Sequence, residues 1–256
     1  MLVYLIVGFV FAVIFCVIVF FMKSQNAHDE RMGIRQQNYN ALPAVPAAQL
    51  PLSPLLHNMI IGRIPNVLFI DIETTGLYED DKIVAIAMMS LVGHQFVNNG
   101  IYFIFNPMKR SHPKAIEIHG FSDELLSHQM TFPMLSQMLY DFMSDAHLIV
   151  SHNIQFDMAF IDREMEACGY DLSRIPRFCT LDAYRVLFPG KSAKMADIAK
   201  AHGLGEQREQ HSAMVDVLLT VKLYLMLVGA GGAVLPEANY PTEPMNIVQP
   251  SPSSIS

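Results

Sequence analysis

A chain of 256 residues, 52% hydrophobic, sets 17 Lys and Arg against 24 Asp and Glu, a formal net charge of −7. That balance excludes a basic protein that coats duplex by neutralising phosphates, and the apolar content excludes a wholly disordered chain. Three cysteines, Cys16, Cys168 and Cys179, exclude a disulfide framework and fit a reducing compartment, where ordinary packing is a sufficient role for each.

The first element in chain order spans residues 2–22, which hold no charged side chain and are mostly Val, Ile, Leu and Phe. At ~1.5 Å per residue such a helix covers roughly 30 Å, one bilayer core. A cleaved signal peptide would begin with a basic segment and end in a small-residue cleavage site. No Lys or Arg precedes this run, and FFMKSQNAHDE offers no convincing site. The prediction is one N-terminal transmembrane helix, an uncleaved anchor over 1–22. Lys23, Arg31 and Arg35 follow it, so the positive-inside rule places the remaining chain in the cytoplasm. Residues 23–62 are polar and then Pro-rich (ALPAVPAAQLPLSP), a linker. A globular domain is expected over 63–228. A disordered tail is expected over 229–256, which opens GAGG and continues with Pro and Ser.

Inside the domain, apolar runs predict strands over 67–73, 82–92 and 95–106, an antiparallel meander. Residues 133–145 read as a helix, with Met134, Met138 and Phe142 at helical spacing, and 147–152 as a short buried strand. Helices follow over 156–169, 180–188, 194–203 and 212–229, with Gly169 a stop signal. The fold class is α/β, a mixed sheet flanked by helices.

Three segments carry chemistry. In LFIDIETTGL, Asp71 and Glu73 alternate with Leu68, Ile70 and Ile72, so the two acids share one face of a strand. Their repulsion is resolved either by a divalent cation on hard oxygen ligands, Mg²⁺ or Mn²⁺, or by a strand end that reaches water. In SHNIQFDMAFI, Asp157 falls near a helix start, either as a ligand or as a complement to the helix N-terminus, and Asn153 can be a cap. In HSAMVDVLLTV, Asp216 lies within an apolar helix whose face is Met214, Val215, Leu218 and Leu219, and so needs a partner; His211 is either part of that site or a helix-end histidine.

Together, D-x-E, H-N-x-x-F-D and H-x-x-x-x-D, in this order and spacing, resemble the DEDDh 3′→5′ exonuclease family, which includes the DNA polymerase III epsilon proofreading subunit and ribonuclease T. IHG (118–120), FSDELL and TLDAYRVLFPGK (180–191) support the likeness, which covers about 67–227. The resemblance implies a ribonuclease H-like fold and hydrolysis of terminal phosphodiesters from a 3′ end, releasing nucleoside 5′-monophosphates with two Mg²⁺ or Mn²⁺. By that resemblance Asp71, Glu73 and Asp216 hold the first ion, Asp71 touches the second and Asp157 contributes through water. His211 takes the proton of the attacking water, its ordinary pKa of ~6.5 suiting a base near neutrality. Thr74, Gly76 and Leu77 shape the slot for the terminal nucleotide, His119 reaches its phosphate or sugar, and Asn153 joins the substrate-binding set. The anchor and the tail depart from the family pattern.

The partner implied is a nucleic acid 3′ end. Residues 63–227 hold 14 Lys and Arg against 20 Asp and Glu, a balance that suits grip on a few terminal nucleotides. Lys109, Arg110, His112 and Lys114 form a compact basic cluster, either a contact to upstream phosphates or a solvated loop. Family frequency favours single-stranded DNA over RNA. An exoribonuclease of the same chemistry, or an exonuclease-like module that binds without cleaving, are the alternatives.

Overall fold

β1 (Val67–Thr74) occupies the middle of the sheet because its residues suit burial on both faces. Leu68, Ile70 and Ile72 point to one side, Val67 and Phe69 to the other, and none of the five is more than 5% exposed. The computed structural model describes residues 66–92, 95–96, 100–205, 212–228 and 240–246. The expected anchor (1–22), the linker (23–62), His211 and most of the expected tail lie outside the described residues. Among those described, no helix is long and apolar enough to cross a membrane.

β2 (Ile83–Val92) pairs antiparallel with β1, from Val67↔Leu91 to Thr74↔Ile83, with an irregularity between Glu73 and Thr74. β3 (Gln95–Phe96) and β4 (Ile101–Ile104) lie along the far edge of β2. On the other side of β1, β5 (Leu148–Ser151) and β6 (Arg177–Cys179) add in parallel. The sheet is mixed, in the order β3-β2-β1-β5-β6 with β4 also on β2. A single strand over 95–106 was expected; the structure corrects this to two short strands with Gly100 between them. Gly100 has φ 72, and a Cβ there would lie 2.9 Å from the Met88 carbonyl oxygen, so the backbone turns where only glycine fits.

Two short helices, α1 (Pro113–His119) and α2 (Asp123–Ser127), follow β4. Periodicity does not reveal pieces this short, although their caps are readable: Pro113 sits in the first turn of α1, and Ser122 Oγ accepts the Leu125 N–H at 3.1 Å. α3 (Phe132–Ser144) packs through Phe132, Leu135, Leu139 and Met143. Of the residues at helical spacing, Met138 and Phe142 pack partly buried against the same core, and Met134 is 67% exposed. α4 (Ile154–Ala167) follows β5, and α5 (Thr180–Leu187), α6 (Met195–His202) and α7 (Ala213–Leu227) follow β6.

The sheet separates two cores. Leu68, Ile70 and Ile72 pack with α3 and α4; Val67, Phe69, Val84 and Val150 pack with α7. α5 and α6 then cover the outside of α7 through Tyr184, Met195 and Ile198. α7 is therefore buried nearly all round rather than on the one face expected, because it forms a middle layer.

The tail expected to be disordered over 229–256 is corrected at 240–246. There Met245 donates its N–H to the Tyr102 carbonyl at 2.7 Å. The Asn246 amide accepts from the Ile104 N–H at 2.8 Å and donates to the Ile104 carbonyl at 2.6 Å. The physical reason is the free edge of β4, whose backbone groups need partners. Asn246→Ala is expected to cost about 1–2 kcal/mol, two hydrogen bonds' worth. Urea unfolding should show it as a lower midpoint with an unchanged slope.

Candidate active site

Asp71 and Glu73 stand on the face of β1 that looks toward α7, and their antiparallel partners are Ala87 and Ala85. These small side chains leave room beside the acids. Asp216 arrives from the first turn of α7, where its N–H donates to the Ser212 carbonyl at 3.0 Å. One carboxylate oxygen from each of Asp71, Glu73 and Asp216 lies within 4.8 Å of the others. Glu73 is 9% and Asp216 7% exposed, so the cluster is largely withdrawn from water.

Asp157, 4% exposed, comes from the first turn of α4. Beyond Phe69, β1 runs past its parallel pairing with β5. The Asp157 carboxylate takes over there, accepting from the Ile72 backbone N–H and from the Ser151 hydroxyl at the end of β5. Burial raises the Asp157 pKa; these hydrogen bonds oppose the rise, and the charge of Asp216 adds to it. Asp71 is held well above the ordinary carboxylate range, by burial first and then by Asp216, Asp157 and Glu73. The four acids thus repel one another inside the protein. Hard, crowded, desolvated oxygens of this kind fit a divalent cation, which supplies the missing positive charge.

Such a cluster has known counterparts. The family model for exonucleases of the RNase T type matches residues 68–224. The chain belongs to that exonuclease family. It carries a DEDDh-type 3′→5′ exonuclease domain. It is 28% identical over 171 residues to the DNA polymerase III subunit epsilon of Escherichia coli K12, covering 62% of this chain and 70% of that protein. It is 28% identical over 169 residues to the epsilon subunit of Buchnera aphidicola subsp. Baizongia pistaciae, covering 62% and 69%. Its fold is similar to E. coli exonuclease I solved with a dT13 oligonucleotide, with TM-score 0.57, 20% identity and 63% of this chain covered. Exonuclease I from Methylocaldum szegediense aligns with TM-score 0.55 and 17% identity over 64% of this chain. In both cases the alignment spans 40% of the exonuclease I chain.

Within the exonuclease domain the structure brings Asp71, Glu73, Asp157 and Asp216 together; His211 lies outside the described residues. Thr74 is buried, and its hydroxyl donates to the Gly76 carbonyl at 2.6 Å. A Cβ on Gly76 would come within 2.4 Å of Asp81 Oδ2, so any side chain there would displace that carboxylate. Leu77 is 79% exposed. His119 closes α1, buried and stacked on Phe121, and its Nδ1 accepts the Phe121 N–H at 3.0 Å. Burial lowers its pKa to about 4, partly countered by Asp123. The ring is therefore neutral, and Nε2 bears a proton with no hydrogen-bond partner among the described residues. Asn153 takes the N-cap position of α4 in the left-handed region, φ 96, exposed, and its side chain makes no capping bond. Asn tolerates this conformation better than most residues.

Sequence reasoning gave several residues no role. His152 braces the end of β5, its ring meeting Thr180 Oγ1 and the Ala193 carbonyl, each at 3.0 Å. Tyr102 lies on β4 across Ala87 from Asp71. Burial raises its phenol pKa; Ser212 works the other way, and Glu73, Glu243 and Asp71 add to the rise. Ser151 and Asp81 were missed too, because contacts made across 6 to 41 positions of the chain show no local signal. Lys109 is spoken for by Asp80 and Asp81, each at 2.9 Å, which removes it from the expected basic cluster.

The gathered charge makes stability depend on pH. Between the ordinary carboxylate range and its raised folded pKa, Asp71 binds more protons folded than unfolded. Its contribution to stability therefore falls as pH rises through that window. Asp71→Asn should raise the metal-free Tm, by about 2–4 °C per kcal/mol of relief in a domain this size. Scanning calorimetry at neutral pH tests this; Mn²⁺ should raise the Tm of the unaltered chain and leave that of Asp71→Asn nearly unmoved.

Proposed function

We propose that this chain is a metal-dependent 3′→5′ exonuclease that hydrolyses the terminal phosphodiester of single-stranded DNA and releases nucleoside 5′-monophosphates. The observation that carries the reading is the buried cluster of Asp71, Glu73 and Asp216 with Asp157 behind it. Asp71, Glu73 and Asp216 are the residues to hold one Mg²⁺ or Mn²⁺; Asp71, with Asp157 aiding through water, is the one to hold a second. Bound there, two such ions supply charge stabilisation at the attacking and leaving oxygens. The side chains do the rest. Ser151 and the Ile72 N–H aim Asp157, and the first turn of α7 aims Asp216. His211, five residues before Asp216 in the chain, accepts the proton of the attacking water at a ring nitrogen. Thr74, Gly76 and Leu77 border the terminal nucleotide.

The preference for single-stranded DNA is supported by the complexes of E. coli exonuclease I with ssDNA and with a dT13 oligonucleotide. The tether is part of the same proposal. Residues 2–22 lack charge, and the basic residues Lys23, Arg31 and Arg35 follow them, which supports a domain held at the cytoplasmic face of a membrane.

An end-labelled oligonucleotide with Mg²⁺ or Mn²⁺, with and without chelator, tests the activity. Asp216→Ala should lower kcat by about a hundred- to a thousandfold while the fold persists, the scale of losing an electrostatic element of the reaction. Near-normal turnover by that variant removes the assignment. His211→Ala should lower turnover more than Mn²⁺ affinity. Matched RNA degraded faster than DNA would instead make the enzyme an exoribonuclease, and intact labelled ends would make it a binding module. Deleting residues 1–62 should release the protein from membranes on fractionation; unchanged fractionation removes the tether.

A further inference from the structure

Asp81 closes the loop that follows β1, and its side chain is only 7% exposed. Three donors converge on it: the Thr75 hydroxyl at 2.7 Å and Lys109 Nζ at 2.9 Å on Oδ1, and the Tyr78 N–H at 2.8 Å on Oδ2. Gly76 passes so close that a side chain there would push the Asp81 carboxylate off its donors. The loop's neck is shut by the Thr75 N–H to the Lys82 carbonyl at 2.8 Å and by the Lys82 N–H to Thr75 Oγ1 at 3.0 Å. The same residues reach outward. The Thr75 carbonyl accepts the His112 N–H at 2.7 Å just before α1, and the Asp81 carbonyl accepts from Arg163 of α4. Burial opposes charge on Asp81, but its three donors outweigh that and hold the carboxyl below the usual range.

The outer end of this locked loop carries Leu77 and Tyr78, 79% and 75% exposed. Single exposed apolar residues are ordinary. Here two adjacent ones stand four and five residues beyond Glu73, on backbone fixed from beneath so that they do not fold back onto the protein. We infer that Asp81 is a positioning residue that presets Leu77 and Tyr78 as an apolar step for the base of the substrate's 3′-terminal nucleotide. This rests on the nuclease reading above and adds Asp81 and Tyr78 to it. Base stacking on such a surface tolerates every base, which suits an enzyme that removes one nucleotide after another. Presetting the loop removes its ordering cost from the binding step. Only a carboxylate accepts from all three donors, since an amide presents one acceptor and turns an N–H toward a donor.

The test compares Asp81→Asn with the unaltered chain on two substrates, a single-stranded oligonucleotide and bis(4-nitrophenyl) phosphate, a diester with neither base nor sugar. Asp81→Asn should raise the oligonucleotide KM by about 10- to 100-fold, the scale of a displaced positioning element, and slow the simple diester far less. Tyr78→Ala should give part of the same KM effect. Equal losses on both substrates, or no loss on the oligonucleotide, overturn the inference while leaving the nuclease reading in place. Failure of the unaltered chain on both substrates overturns both. Should Asp81→Asn not fold by circular dichroism, the exposed double variant Leu77→Ala with Tyr78→Ala decides by the same KM comparison.

Discussion

Mutual repulsion among buried carboxylates is the constraint around which this domain is arranged. Asp71, Glu73 and Asp216 present oxygens within 4.8 Å of one another, and Asp157 adds its charge from behind. Left to itself, such a group would separate into water. It is held because each acid stands on an element whose other residues are committed to a core. Leu68, Ile70 and Ile72 bind β1 to α3 and α4; Val217, Leu218 and Val221 bind α7 to the sheet. Apolar burial of ~25 cal/mol per Å² over dozens of side chains outweighs a repulsion of a few kcal/mol. The stored repulsion is what a cation relieves, so stability and metal affinity are two aspects of one arrangement.

The sheet topology decides where that repulsion sits. β1 extends past the end of its pairing with β5, and the Asp157 carboxylate meets the Ile72 N–H there in place of a strand. On the other flank, alanines at 85 and 87 keep the neighbouring strand low beside the acids. The site therefore lies at the end of the central strand, where parallel pairing has stopped and α4 and α7 both begin. Helix starts place Asp157 and Asp216 in first turns, where a negative charge is electrostatically favoured; this lowers the cost of gathering them.

Around the acids, a rigid frame of hydrogen bonds fixes the approach. Asp81, Thr75 and Lys109 pin the loop after β1, and Arg163 ties that loop to α4, the helix that also carries Asp157. His152 joins the end of β5 to Thr180 and Ala193. The docked segment 240–246 closes the far edge at β4, and Glu243 acts on Tyr102, which in turn feels Asp71. The elements lining the site are thus coupled through a few polar residues rather than through the cores alone.

Much of this was legible in the sequence, and the limits have physical causes. The alternation in 67–73 showed which side chains anchor β1 and which face the site, since strand geometry enforces a period of two. The long helices at 154–167 and 213–227 and the spacing of the acids were legible for the same reason: local geometry repeats. The carboxylates could be named because a charge in an apolar run requires a remote partner, even where the sequence does not say which. What only the tertiary structure decided were relations that repeat nothing. The interruption of the 95–106 strand at Gly100, the all-round burial of α7, the docking of 240–246 on β4, and the roles of Asp81, Ser151 and His152 depend on residues that meet from distant positions. A hydrogen bond between Lys109 and Asp81, or between Asn246 and Ile104, is specified by where the folded backbone brings them, and no local period in the chain encodes that.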